Sequence, residues 1–242
     1  MLKIDLHIHT EKSGHAYGTF YDIVQEAQDK QMTMIGITDH GPGFTGGADL
    51  AHFKMGRRAP KQINGLKILW GCEANVIDQQ GSLDLPIKYQ THVDLLLAQF
   101  HWNCGYQDQG IKGNTKTMCL ALQNPNLHIL SHPTHPQYDY DFEQVWQTAL
   151  DQDVLLELDI SYFDMFKEQD LDIFQAMIKA VRQAGKKLIV NSDAHFIHEI
   201  GDDSIIDTFA ERLELTPDLI INNYPAELET FLANKRQYAP SI

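Results

Sequence analysis

The sequence predicts an α/β barrel of parallel strands, and three observations predict it. Short runs rich in Ile, Leu and Val recur along the 242 residues with little internal alternation, as in strands buried on both faces. Amphipathic stretches separate them, so the units read βαβ and the sheet is parallel. Seven or eight such units in a chain of this length favour a closed barrel over an open doubly wound sheet. No G-x-G-x-x-G follows the first run, which removes the main nucleotide-binding alternative. One domain, residues 1–242, accounts for the whole pattern.

Taken in order, the first strand is Lys3–Leu6, and His7 and His9 follow it. Residues i and i+2 of a strand share a face, so two imidazoles project side by side. "TFYDIVQEAQDKQ" is a helix with Thr19 as N-cap and Ile23, Val24 and Ala27 on one stripe. Strand two is Met34–Thr38. The Gly-rich "GFTGGADLAHFKMGRRAPKQ" after it is expected to loop over the rim. Strands three to five are Lys67–Cys72, Asp94–Gln99 and His128–Leu130. "DFEQVWQTALDQ" places Phe142, Val145, Trp146 and Ala149 at helical spacing. Val154–Leu158 is the sixth strand. "LDIFQAMIKAVRQAG" carries Ile173, Phe174, Met177, Ile178 and Val181, and Gly185 closes it. Lys187–Val190 is the seventh strand and Leu219–Ile221 a short eighth.

Composition narrows the function. At 43% hydrophobic and 21% charged, the chain can build a core. No apolar run spans a bilayer, and Asp5, His7 and His9 break any signal-peptide pattern, so a cytoplasmic protein away from membranes is expected. Cys72, Cys104 and Cys119 form no C-x-x-C and read as free thiols. Net charge is −14, from 33 acids and 19 bases, which disfavours a nucleic-acid partner. That balance suits a holder of divalent cations, and plain solubility explains it equally well. Nothing fixes the oligomeric state, and a homo-oligomer built through the outer helices is open.

Candidate ligands fall where a barrel presents chemistry. His7 and His9 end strand one, and Asp39 and His40 lie just past strand two. Glu73, His101 and His132 follow strands three, four and five; Asp193 and His195 follow strand seven. The sixth strand carries Asp159 and Ser161 at its end, with no histidine. A single histidine after a strand is commonly a loop residue; six such strand ends are not coincidence. In a parallel barrel these ends converge on one rim. With Asp39 and Asp159 set aside and His15 added, the candidate ligands number nine, too many for one ion, and imidazole–carboxylate sets suit Zn, Mn or Fe.

"DLHIHT", "GITDHG", "GCEAN", "SHP" and "NSDAH", in that order, resemble the PHP (polymerase and histidinol phosphatase) superfamily, and "DLHIHT…SGHAY…ITDHGP" is especially similar to its YcdX-like single-domain phosphatases. The resemblance spans essentially the whole chain. It implies a distorted (β/α)7 TIM-like barrel with a trinuclear site at the carboxyl ends of its strands. It further implies that His7, His9, Glu73 and Asp193 hold one divalent ion. Glu73 bridges to a second, held also by His101 and His132. His15, His40 and His195 hold a third. The assignment of His15 rests mainly on the resemblance, since "EKSGHAYG" reads as an ordinary Gly-rich loop.

The chemistry this implies is hydrolysis of a phosphomonoester by a hydroxide bridging two ions, with Glu73, Asp193 and His101 as the catalytic side chains and a small phosphorylated molecule as substrate. The general acid for the leaving group stays open; a ligand such as Asp193 is poorly suited to hold a proton, and Asp39 suits a role orienting His40 or His9. Arg57 and Arg58 are the candidate phosphate contacts, against a solvated basic pair on a surface loop. His52 and His135 could reach the site; His198 could be either structural or functional; His92 and His128 read as structural. Competing readings are a phosphodiesterase or exonuclease of the same type, a protein-tyrosine phosphatase, an amidohydrolase and a non-catalytic metal-binding module. Acidic charge opposes the nuclease. No lysine stands clearly as a carbamate bridge for the amidohydrolase, and the complete ligand set opposes the silent module.

Overall fold

The structure, a computed structural model, describes residues 2–162 and 170–237. Its elements in chain order are β1 (Ile4–Ile8), α1 (Phe20–Asp29), β2 (Met34–Ile37), α2 (Leu50–Lys54), β3 (Gln62–Ile63), β4 (Leu66–Asn75), α3 (Ile87–Gln90) and β5 (Leu95–Gln99). They continue with α4 (Gly110–Ala121), β6 (Ile129–Leu130), α5 (Phe142–Asp151), β7 (Leu155–Asp159), α6 (Leu171–Gln183), β8 (Ile189–Asn191), α7 (Ser204–Phe209) and α8 (Pro225–Gln237). Strands β1-β2-β4-β5-β6-β7-β8 pair in that order, all parallel, as a nearly closed seven-stranded barrel with helices between the strands.

The helix signals act as read. Thr19 caps α1 in a reciprocal capping box with Asp22. α5 buries Val145, Trp146 and Ala149, and α6 buries Phe174, Met177, Ile178 and Val181. Gly185 follows α6 at φ +63°, the left-handed position that releases the chain towards β8.

Two features differ from the sequence reading. β3 pairs antiparallel with the start of β4 through an Asn64–Gly65 turn, at φ +48° and +91°. Asn-Gly between two apolar runs is the signal for such a hairpin. Leu219–Ile221 is not a strand: only Ile220 bridges to Leu188, between two 3-10 turns.

Alternate strand residues face the lumen. Ile4, Leu6, Leu69, Leu95, Leu97, Ile129, Leu155 and Ile189 form one buried cluster there, and Leu228 and Leu232 of α8 join it at the amino end. The next inward positions towards the carboxyl end are polar: Glu73, Gln99, Glu157 and Asn191, all buried. In β1 the register with β2 shifts between Asp5 and Ile8. That irregularity carries His7 and His9 to the lumen side while Ile8 packs outward against α1. Gly36 lies where any Cβ would come within 2.8 Å of the Leu6 carbonyl oxygen, so β2 hugs β1 only because the residue is glycine.

The joint between β1 and β8 is made largely by side chains. Backbone pairing there is limited to the Ile8–Ala194 bridge. The Asn222 amide donates to the Ile4 and Val190 carbonyls at 3.0 and 2.7 Å and accepts from the Val190 N–H. Asn191 Oδ1 accepts from the Leu6 N–H at 2.8 Å. Asp5 accepts from Ser192 and from the Gly201 N–H. Each satisfies backbone or carboxylate groups that an open seam would bury unpaired. No helix of the described residues is long and apolar enough to cross a membrane.

Candidate metal centre

All nine candidate ligands meet at the carboxyl ends of the strands. His7, His9 and Asp193 form one tight group; His40, Glu73 and His101 a second; His9, His40 and His195 a third. His132 Nε2 lies 2.9 Å and His101 Nε2 3.4 Å from Glu73 Oε1. The other Glu73 oxygen, Oε2, faces His7 Nε2 at 3.4 Å, His9 Nε2 at 3.5 Å and His40 Nδ1 at 2.9 Å. Glu73 is therefore the one carboxylate shared between two groups of imidazoles. Asp193 Oδ1 lies 2.9 Å from His9 Nε2 and 3.3 Å from His7 Nε2. His15 joins through His195, their Nε2 atoms 2.8 Å apart.

The hydrogen bonds around the rings show which nitrogens are free to ligate. His7 Nδ1 faces the Glu157 carboxylate at 2.9 Å, an acceptor, so it carries hydrogen. His195 Nδ1 donates to the Asp193 carbonyl at 2.8 Å, and His15 Nδ1 to the Ser13 carbonyl at 3.1 Å. Ser13 Oγ donates to Asp39 at 2.8 Å and so accepts from His9 Nδ1, also at 2.8 Å. In the neutral rings this leaves four Nε2 lone pairs, facing each other in pairs: His7 and His9 at 3.0 Å, His15 and His195 at 2.8 Å. Opposed lone pairs repel unless a positive charge lies between them. His40 Nδ1, Glu73 Oε2 and Asp193 Oδ1 are buried and make no well-aligned hydrogen bond among the described residues, although His40 Nδ1 and Glu73 Oε2 lie 2.9 Å apart and Asp193 Oδ1 lies 2.9 Å from His9 Nε2. Unpaired buried polar atoms are costly, and a borderline cation takes this imidazole–carboxylate set readily. The residues present therefore fit divalent transition-metal ions.

The electrostatics agree. Burial opposes charging His7, yet Glu157, Asp193 and Glu73 outweigh it and hold the ring protonated well above its usual range. Burial likewise opposes charge on His132, but its hydrogen bond to Glu73 raises it to about 9. His40 goes the other way, pushed down to about 3 by burial against the pull of Glu73. Burial resists ionising Glu73 and Asp193, but the surrounding imidazoles keep both ionised well below the carboxylate range. The centre draws positive charge, as protons or as metal.

A pH dependence follows. Without metal, the raised His132 stabilises the fold fully below about pH 6.5, and this is lost as pH rises through about 9. Metal must displace that proton and the one held on His7, so affinity should rise by about tenfold or more per pH unit between pH 7 and 9, with proton release. Calorimetric zinc titrations at two pH values in two buffers check this; a pH-independent affinity without proton release contradicts it.

A support layer holds the ligands. Glu157 accepts from His7 Nδ1, the His132 N–H at 2.8 Å and Asn191 Nδ2 at 2.7 Å. Sequence reading missed it; the signal was a glutamate inside the apolar run "VLLELDI". Asp39 takes the orienting role read for it, acting on His9 through Ser13, and Thr10 and His52 brace it. Ser131 Oγ donates to Glu73 Oε1 at 2.8 Å. His132 and Asp193 sit at φ +31° and +50°, left-handed backbone that non-glycine residues rarely hold and that is found at functional sites.

Other candidates scatter. His135 stands at the rim beside Asp159 and Tyr162. The His198 ring lies near Phe196. The structure does not bring Arg57 to the centre. It lines a cavity of about 320 Å³ with Lys61, His92 and His128, at the amino ends of β5 and β6. The α2 segment turns outward because Gly56 packs against the Trp70 ring and the His92 carbonyl, and this carries the exposed Arg58 away as well.

Comparison with known proteins gives a consistent picture. A family model described as the PHP domain matches residues 5–189. A protein named a probable phosphatase from Caldanaerobacter subterraneus is 32% identical over 98% of this chain and 93% of its own. Another so named, from Caldicellulosiruptor saccharolyticus, is 33% identical over 100% and 99%. Among solved structures, the chain resembles histidinol phosphate phosphatase from Lactococcus lactis, crystallised with zinc, L-histidinol and phosphate, at TM-score 0.60 and 17% identity, covering 87% and 91% of the two chains. A chain in archaeal ribonuclease P with mature tRNA matches at TM-score 0.60 and 15% identity, covering 98% and 90%. These two likenesses concern the fold alone.

Proposed function

The chain belongs to the PHP domain family, and from that premise we propose that it is a phosphatase acting on phosphomonoesters with three divalent transition-metal ions, Zn, Mn or Fe. The observation that carries this reading is the pair of opposed Nε2 contacts, His7–His9 and His15–His195, in one cluster with Glu73 and Asp193. The names of the curated relatives support the phosphatase activity.

In this reading His7, His9, Glu73 and Asp193 hold one ion; Glu73, His101 and His132 a second; His15, His40 and His195 a third. Bound there, the ions supply an activated water and neutralise charge on the phosphoryl oxygens. Glu73 would be shared between two ions, since its Oε1 and Oε2 face different imidazoles, and Ser131 Oγ donates to Oε1 and steadies the carboxylate. Asp193 closes the first group. Glu157 keeps His7 in the tautomer whose Nε2 is free, and Ser13 does so for His9.

The test uses protein stripped of metal and reloaded with Mn or Zn. Hydrolysis of p-nitrophenyl phosphate and of bis(p-nitrophenyl) phosphate is measured, with elemental analysis of bound metal. Restored activity on the monoester alone, with about three ions per chain, is expected. Activity mainly on the diester, or no bound metal, removes the reading.

A further inference from the structure

The mouth of the centre has an uneven chemistry. The loops leaving the carboxyl ends of the strands are residues 9–19, 38–49, 76–86, 100–109, 131–141, 160–162 and 192–203. Among these described residues the one cation is Lys12, ion-paired with Glu11 at 3.3 Å, while acids occur throughout. The cations gather elsewhere, as with Lys54, Arg57, Arg58 and Lys61. Among the described residues, a phosphate at this mouth therefore meets no guanidinium, and no ammonium but the paired Lys12, that could take a second negative group.

What the mouth offers instead is rings. Trp102 directly follows His101 and is 61% exposed. It is nevertheless anchored: its N–H donates to Gln137 Oε1 at 2.6 Å and its indole Nε1 to the Gln137 carbonyl at 3.2 Å. Its indole stacks on no other ring among the described residues. In the same loop as Gln137, His135 stacks on Tyr162 with centroids 3.9 Å apart and planes 19° apart. His135 lies 5.3 Å, ring to ring, from His132, and His132 lies 5.4 Å from His101. The indole Nε1 bond to Gln137 restricts the ring and the backbone bond anchors its residue, so stacking on this exposed indole costs less further entropy than on a free one.

We infer that Trp102, with the His135–Tyr162 stack, is the platform for the alcohol part of the substrate, and that this part is a planar ring carrying no negative charge. The inference rests on the phosphomonoesterase reading and adds a substrate class to it. Ring-bearing monophosphates are taken, while bisphosphates and nucleoside polyphosphates are repelled by the acidic mouth.

Benzyl phosphate and propyl phosphate release alcohols of similar acidity, so their kcat/KM ratio reports binding of the ring rather than leaving-group chemistry. The metal-loaded protein should favour benzyl phosphate by about tenfold or more, the size of one ring–ring contact. Trp102→Ala should bring that ratio close to one, and Trp102→Phe should restore it, with metal content unchanged in both. 4-Carboxybenzyl phosphate should fall about tenfold below benzyl phosphate through repulsion alone. Turnover of both simple esters with a ratio near one overturns the platform and leaves the phosphatase reading intact. No turnover of either overturns that reading and this inference with it. Should Trp102→Ala fail to fold, the wild-type ratio and the carboxylate comparison decide.

Discussion

Glu73→Gln should lower kcat/KM on a phosphomonoester by about a thousandfold or more, roughly 4 kcal/mol of transition-state stabilisation. The substitution is nearly isosteric, so the lumen keeps its packing; what changes is charge. Glu73 is buried, its Oε1 faces His101 and His132, and its Oε2 faces His7, His9 and His40. A carboxamide supplies one weak ligand oxygen in place of two charged ones, and its NH2 points a donor at an imidazole set. Elemental analysis should therefore show the loss of more than one ion per chain. A Gln variant with wild-type turnover and a full metal complement would remove Glu73 from the bridging role.

The second large effect is on stability. Chelation should lower the melting temperature by about 10 °C. Saturation at about a thousand times Kd is worth about 4 kcal/mol, and each kcal/mol shifts a domain of this size by about 2–4 °C. Without ions the closely opposed imidazoles and the ionised Glu73 and Asp193 remain in a buried cluster whose charge only ring protons offset. Re-adding zinc should recover the transition, as read by scanning calorimetry. An unchanged melting temperature would mean that the ligands are paired well enough without metal, against the geometry described.

Much of this was legible in the sequence, for physical reasons. Strands buried on both faces betray themselves as Val/Ile/Leu runs, and the carboxyl ends of those runs delivered His7, His9, His40, Glu73, His101, His132, Asp193 and His195. His15 was not legible in this way, because the 3-10 turn Glu11–Ser13 that aims its loop back at the rim leaves no periodic trace. Glu157 lies in the middle of β7, where the strand-end pattern does not mark it. Arg57 and Arg58 looked like rim residues since their segment follows β2; the packing of Gly56 on Trp70, a long-range contact, sends them to the other end.

The β1–β8 joint has one more consequence. A hoop with six backbone-laced seams and one held by side-chain ties deforms first at the ties. His7 and His9 stand on one lip of that joint, and Asp193 and His195 on the other. An ion held by ligands from both lips would tie β1 to β8 where the backbone ladder does not.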